Sequence, residues 1–150
     1  MSVNIMREKI CLVTGANSGI GFVIAKELAR MEATVVMVCR DKAKGIAARG
    51  EIETATGNHS LELIITDLSS LGSVRELAQE FRQKHSRLNV LVNNAGLIMG
   101  KRVMTPDGLE TTFEVNYLSH FLLTHLLLDQ LKAGAPSRIV NVSSDAHFNG

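Results

Sequence analysis

Thr14-Gly15-Ala16-Asn17-Ser18-Gly19-Ile20-Gly21 joins a short apolar run, residues 10–13, to a stretch whose apolar residues Ile20, Ile24, Leu28 and Met31 recur at helical spacing. A strand that meets three glycines and then becomes a helix must turn sharply. The N–H groups at the start of such a helix, together with its dipole, favour an anion such as a pyrophosphate. A Cβ at Gly15 or Gly19 is expected to obstruct either the turn or the phosphate, and Gly21 is expected to let the helix lie close on the sheet. The spacing is G-x-x-x-G-x-G rather than G-x-G-x-x-G, and no Gly-Lys-Ser/Thr is present, so a triphosphate loop is excluded. A glycine cluster alone can be a merely structural tight turn. Between a strand and a helix it predicts dinucleotide binding, with Gly15, Ala16, Asn17, Ser18, Gly19, Ile20 and Gly21 forming the cradle.

The same alternation continues along the chain. Residues 34–39 are continuously apolar and Val-rich, and predict a buried strand. Residues 42–56 predict a weaker helix with Ala43, Ile46 and Ala47 on one face. Residues 61–65 predict a third strand. Ser73 and Glu76 have capping-box spacing, continued as a helix by Val74, Leu77, Ala78 and Phe81. Residues 88–92 predict a fourth strand. Thr105-Pro106-Asp107 suits a helix start with proline in the first turn, and the helix is expected to run to about Lys132, ended by Gly134 and Pro136. Residues 138–142 predict a fifth strand. Strict alternation of strands and helices implies one α/β domain over residues 1–150, a doubly wound parallel sheet with helices on both faces. Continuously apolar strands point the same way, because parallel sheets are covered on both sides. Ligands of such sheets bind beyond the carboxyl ends of the strands.

Composition narrows the function classes. The 150 residues are 45% hydrophobic and 21% charged, a globular mixture. Sixteen Lys and Arg against fifteen Asp and Glu leave a net charge of +1, so no basic excess points to nucleic acid or an anionic membrane. With no Trp, one Tyr and five Phe, base-stacking platforms are not expected. Cys11 and Cys39 sit in apolar runs without a C-x-x-C pair, and are expected to be reduced, buried thiols. Apolar runs fall short of the ~18–20 residues of a membrane helix. Residues 1–9 lack a signal-peptide core, so, with Met1 as the true start, the expected compartment is the cytosol.

The residues just beyond each strand carry the remaining chemistry. Arg40 and then Asp41 follow the second strand, at the position that faces the adenosine ribose. A carboxylate there binds the 2′-hydroxyl, whereas an arginine binds a 2′-phosphate, so Arg40 in front favours NADP over NAD. The alternative is a solvated arginine paired with Asp41. Asp67-Leu68 follows the third strand, and the Asp67 carboxylate can accept from an adenine amino group or cap the next helix. Asn93-Asn94-Ala95-Gly96 follows the fourth strand. Its small residues let a cofactor cross the sheet while its amides tie neighbouring loops. Asn141-Val142-Ser143-Ser144 follows the fifth strand, with a hydroxyl expected in the crevice.

Together, Thr-Gly-x-x-x-Gly-x-Gly, Asp67-Leu68, Asn-Asn-Ala-Gly, Asn116 and the final Ser-Ser resemble the short-chain dehydrogenase/reductase family over residues 10–144. Cys39-Arg40-Asp41, the Leu-rich residues 121–131 and Pro136 to Ser144 resemble its retinol-dehydrogenase-like members. The resemblance implies a Rossmann-type sheet of order 3-2-1-4-5. It implies hydride transfer between a nicotinamide cofactor, NADP here, and a carbonyl or alcohol carbon of a retinoid-, steroid- or other lipophilic-carbonyl-like substrate. It places Asp67, Leu68, Asn94, Ala95 and Gly96 beside the cofactor, matches Asn116 to the family's proton-relay asparagine and Ser144 to its catalytic serine, and implies a homo-oligomer paired through the long helix. Asn116 also has a plainer reading as a helix-packing amide.

The sequence departs from the family at the general acid/base. The family's Tyr-x-x-x-Lys lies a dozen or so residues beyond the serine, and only six residues follow Ser144. Tyr117 is the one tyrosine, with Phe121 rather than lysine four residues later, and is expected to pack or form an interface. A C-terminal part with the covering helix is thus expected to be absent from this chain. No metal site is expected, because His59, His85, His120, His125 and His147 lie on separate elements or helix faces. No Gly-x-Ser-x-Gly elbow surrounds Ser144, which argues against a hydrolase. Two readings follow: the cofactor-binding part of a reductase or dehydrogenase cut short, or a natural short form that binds NADP(H) without turnover and acts as an interaction protein. An in-frame Tyr-x-x-x-Lys downstream of codon 150 would support the first, a stop codon the second.

Overall fold

The five predicted strands form one parallel sheet in the order β3-β2-β1-β4-β5 in a computed structural model that describes residues 5–145. The strands are β1 (Ile10–Thr14), β2 (Thr34–Cys39), β3 (Leu61–Ile65), β4 (Val90–Asn93) and β5 (Arg138–Asn141). β1 lies at the centre, pairing Leu12 with Val36 of β2 on one side and with Leu91 of β4 on the other. The chain order reverses between β1 and β4, which opens the ligand-binding crevice at their carboxyl ends.

Successive side chains of a strand point to opposite faces, so the sheet has two cores. Cys11 and Val13 of β1 with Val35 and Met37 of β2 bury one face under α1 (Gly19–Arg30) and α2 (Lys42–Thr56). Leu12, Val36 and Val38 bury the other under α3 (Leu71–Lys84) and the helices preceding β5, with Phe81, Leu123 and Leu127 at its centre. Both cysteines are buried and free of disulfides, as expected, and burial pushes the Cys11 thiol up to about 12.

Several helix readings need correction. The face expected of α1 is wrong at its two ends: Ile20 and Met31 are 64% and 43% exposed, whereas Ile24 and Leu28 pack against the core beside the buried Gly21, Ala25 and Ala29. In α2 the expected face is also wrong. Ala43, Ile46 and Ala47 are exposed, and Gly45, Ala48 and Ile52 are buried. A Cβ at Gly45 would stand 2.5 Å from the Cys39 sulfur, so small residues set how near these helices come. α3 begins at Leu71, capped by Ser70, whose hydroxyl accepts from the Ser73 N–H; the Ser73–Glu76 capping box does not mark its start.

The helix expected over 107–132 is divided. Residues 105–109 are a turn closed by the Thr105 N–H on the Leu109 carbonyl, and the Asp107 carboxylate accepts instead from the Leu71 N–H of α3 (2.8 Å). The helical region starts at α4 (Thr111–Phe113), capped by the Glu110 carboxylate through the Thr112 and Phe113 N–H groups. A π-helical turn follows (Glu114–Leu118), then α5 (Ser119–Leu126) and α6 (Leu128–Ala133). β5 pairs only with β4 and is exposed along its length, as expected of an uncovered edge. No helix among the described residues is long and apolar enough to cross a membrane.

Candidate functional site

The glycine turn stands at the sheet's reversal point and is held by the β4 loop. Gly15 has φ +65°, and a Cβ there would lie 2.9 Å from the Ala95 Cα. Gly19 has φ +55°, yet a Cβ on it would meet nothing within 4 Å. Its requirement is therefore the left-handed backbone, with open space above the N-terminus of α1. A Cβ on Gly21 would be driven into the Gly15 carbonyl oxygen and the Asn94 amide nitrogen, so its close approach is to the turn itself as much as to the sheet. Ala16 is buried, and its N–H donates to the Val38 carbonyl at 3.2 Å. Ser18 is the extended N-cap of α1, and its hydroxyl makes no capping bond. Asn17 and Ser18 border an open cleft of about 500 Å³ whose far wall carries Lys44 and Glu51.

Arg40 is exposed beyond β2, and no ion pair holds it among the described residues. Asp41 is otherwise engaged: its carboxylate accepts from the Lys44 N–H at 3.0 Å and caps α2. Asp67 does not cap α3. Its Oδ1 accepts from the Ser69 N–H (2.9 Å) and hydroxyl (2.7 Å), which shapes the turn after β3. The Leu68 carbonyl accepts from the buried Ser119 hydroxyl at 2.6 Å, which fixes that turn on α5.

The two asparagines after β4 tie loops together, as expected. Asn94 Nδ2 donates to the Thr14 carbonyl at 2.9 Å and to that of Gly15 at 3.4 Å. Asn93 Nδ2 donates to Thr124 Oγ1 (3.2 Å) and Asn141 Oδ1 (2.9 Å). Gly96 faces Asn116, with 3.5 Å from its would-be Cβ to Oδ1. Asn116 sits in the π-helical turn and grips Leu97 with both ends of its amide: Oδ1 accepts from the Leu97 N–H (2.9 Å) and Nδ2 donates to the carbonyl (2.8 Å). π-turns inside helices are often found at functional sites. Ser144 is exposed three residues beyond β5, on the carboxyl side of the sheet.

Three groups escaped the sequence reading. Thr14 Oγ1 accepts from the N–H groups of both Asn94 and Ala95 at 3.0 Å and lies 2.9 Å from His120 Nε2. His120 is buried, and burial lowers its pKa, so the ring is neutral at physiological pH. Glu114 is fully buried, and burial pushes its carboxyl upward, with Asp107 adding to the rise. A histidine four residues past Asn116 was the only local signal for the first two. Tyr117 is 57% exposed, and its ring contacts Phe113 and Phe121 at 5.5 and 6.3 Å, as its packing or interface reading expected. No group of three or more His, Cys, Asp or Glu residues that could hold a metal occurs among the described residues; His147 lies outside them.

The sequence profile of the short chain dehydrogenases matches residues 9–150. Human retinol dehydrogenase 11 is 51% identical over 142 residues, which cover 95% of this chain and 45% of the relative. This chain therefore spans less than half the length of that curated relative. Among solved structures, the RhlG/NADP active-site complex of Pseudomonas aeruginosa is 33% identical with a TM-score of 0.81, covering 94% of this chain and 56% of that one. A short-chain dehydrogenase of Escherichia coli CFT073 complexed with NADPH is 29% identical with a TM-score of 0.83, covering 98% and 63%.

Proposed function

This chain belongs to the short-chain dehydrogenase family, within its retinol-dehydrogenase-like branch, and we propose that residues 1–150 are the NADP-binding part of an oxidoreductase acting on a lipophilic alcohol or carbonyl. The observation that carries the reading is the combination of an open, left-handed Gly19 at the start of α1 with an exposed Arg40 beyond β2 that no ion pair holds among the described residues. The first leaves the α1 N-terminus accessible to a pyrophosphate. The second offers a guanidinium to a 2′-phosphate, while Asp41, whose carboxylate would favour a 2′-hydroxyl, is committed to α2. The name of the human relative, and the NADP and NADPH in the two solved structures, support a retinol-like substrate and this cofactor.

The bound nicotinamide would supply the hydride-transfer chemistry. Asn94, Ala95 and Gly96 would floor the crevice, held by Thr14. Ser144 would present its hydroxyl to the substrate oxygen, and Asn116 would fix the loop at Leu97 and serve the proton path. The ridge of Phe113, Tyr117 and Phe121, each about half exposed or more, would pair two copies of the chain.

Two variants test the cofactor reading. Arg40→Asp should shift the NADPH/NADH affinity ratio toward NADH by roughly one to two decades, the worth of a charge-assisted contact. Nicotinamide fluorescence titrations measure the ratio, and an unchanged value defeats the NADP assignment. Gly19→Val forces a β-branched residue into the left-handed region, at a cost of about 1–2 kcal/mol, and puts its side chain where the pyrophosphate must approach. NADPH affinity should fall at least about tenfold while the far-ultraviolet circular dichroism stays that of the parent. Parental affinity in that variant would remove the glycine argument.

A further inference from the structure

Thr14 and Asn116 lie at opposite ends of one buried ring, that of His120. Nε2 stands 2.9 Å from Thr14 Oγ1, and Nδ1 stands 3.4 Å from the Asn116 carbonyl oxygen. The direction of both bonds follows from donor inventory. A hydroxyl has one proton and two lone pairs. The lone pairs of Thr14 Oγ1 are taken by the N–H groups of Asn94 and Ala95. Its proton is left to donate, and Nε2 is a nearer acceptor than the Val92 carbonyl at 3.4 Å. At the other end a carbonyl can only accept, so Nδ1 must carry the ring's hydrogen. Two independent constraints thus select one tautomer, with hydrogen on Nδ1 and a bare Nε2. Burial holds the ring neutral, as that assignment requires.

The bonds close a circuit. It runs from the N–H groups of Asn94 and Ala95 to the Thr14 hydroxyl, across His120 to the Asn116 carbonyl, and from the Asn116 side chain back to the Leu97 backbone. The π-helical turn, closed by the Ser119 N–H on the Glu114 carbonyl, contains Asn116 and ends just before α5, the helix that carries His120.

We propose that His120 is a positioning residue, held as its Nδ1-protonated tautomer, which joins the Thr14 hydroxyl beneath the glycine turn to the Asn116 carbonyl and so fixes the 94–97 loop as the floor of the cofactor crevice. Its bearing on the cofactor rests on the NADP reading above; the circuit itself does not. A merely space-filling histidine would need neither the tautomer nor the acceptor at Nε2.

The test has two arms on the 150-residue chain. The first is long-range 1H–15N correlation of histidine-labelled protein at pH 7.5, with the His120 signals identified by their loss in His120→Gln. His120 should show one tautomer, Nδ1 protonated and Nε2 bare. An Nε2-protonated or averaged ring overturns the proposal. The second arm is NADPH titration of three proteins, each checked for parental circular dichroism. His120→Gln retains an acceptor near Nε2 and should bind within about threefold of the parent, whereas His120→Phe keeps the bulk, loses both bonds and should bind about tenfold more weakly. A folded His120→Phe that binds like the parent overturns the coupling to the cofactor floor. A third variant, Thr14→Val, covers the case in which His120→Phe fails to fold: it should weaken NADPH by a similar factor, and parental affinity there also overturns the coupling. If the parent shows the expected tautomer but binds no NADPH, the cofactor reading fails and the circuit stands.

Discussion

The 150-residue chain on its own is expected to bind NADPH and to oxidise none of it at a useful rate. Reduction of a carbonyl needs a proton delivered to the developing alkoxide, and a positioned general acid contributes roughly 10²–10⁴-fold. The described residues offer no group poised for that delivery. Tyr117 is exposed against Phe113 and Phe121, and the residue four places on is Phe121, so no lysine of a Tyr-x-x-x-Lys pair stands there. The Cys11 thiol is buried and pushed up to about 12, and burial also raises Cys39. His120 is held neutral by burial, with its hydrogen directed at a backbone carbonyl. A serine hydroxyl such as that of Ser144 can orient an oxygen without acting as an acid at neutral pH. NADPH absorbance followed with retinal-, steroid- and quinone-like carbonyls measures the rate. Light scattering on the same sample should show dimers or larger species, because the Phe113-Tyr117-Phe121 ridge and the exposed Ile139 and Val140 of edge strand β5 have no cover among the described residues. Brisk turnover by a monodisperse monomer would mean that a proton donor lies among these residues after all. A longer chain carrying Tyr-x-x-x-Lys should restore turnover, which separates an oxidoreductase part from a binding protein that never turns over.

Topology was legible because it depends on local pattern. Five short, mainly apolar runs separated by helical periodicity admit few arrangements other than a parallel sheet, and β1 to β5 lie where those runs are. What failed depends on distant partners. Asp107 before an apolar stretch has the signature of a helix start, yet its carboxylate serves the Leu71 N–H, 36 residues earlier. The inner face of α2 and the two ends of that of α1 were misread because large residues dominate a periodicity count, whereas a helix pressed close to a sheet buries its smallest ones, here Gly21, Ala25 and Ala29 of α1 with Gly45 and Ala48 of α2; Ile24 and Leu28 of α1 pack as expected. The site divides in the same way. The glycine turn and Asn94 announce themselves through residue type at a strand end. Nothing near Thr14 points to His120, 106 residues away, because a hydrogen-bond partner across a fold leaves no trace in local spacing.

Gly21→Ala should be the most damaging single-atom addition in the cofactor crevice. Its Cβ would enter the space of the Gly15 carbonyl oxygen and the Asn94 amide nitrogen. Neither can retreat cheaply. Gly15 is pinned at φ +65° with Ala95 behind it, and Asn94 Nδ2 is committed to the Thr14 and Gly15 carbonyls. Either α1 lifts away from the turn or the Asn94 bonds open. Overpacking of this kind costs about 2 kcal/mol, which lowers Tm by about 4–8 °C for a chain of this size. The moved turn should also lose most of its affinity for NADPH. Gly50→Ala supplies the control, because Gly50 is equally helical, in α2, and a Cβ there meets nothing within 4 Å. Relief of glycine's helix penalty should raise stability there by about 0.5–1 kcal/mol. Thermal melts of the two variants should therefore move in opposite directions. A common direction would mean that helix propensity, and not contact with the turn, governs Gly21.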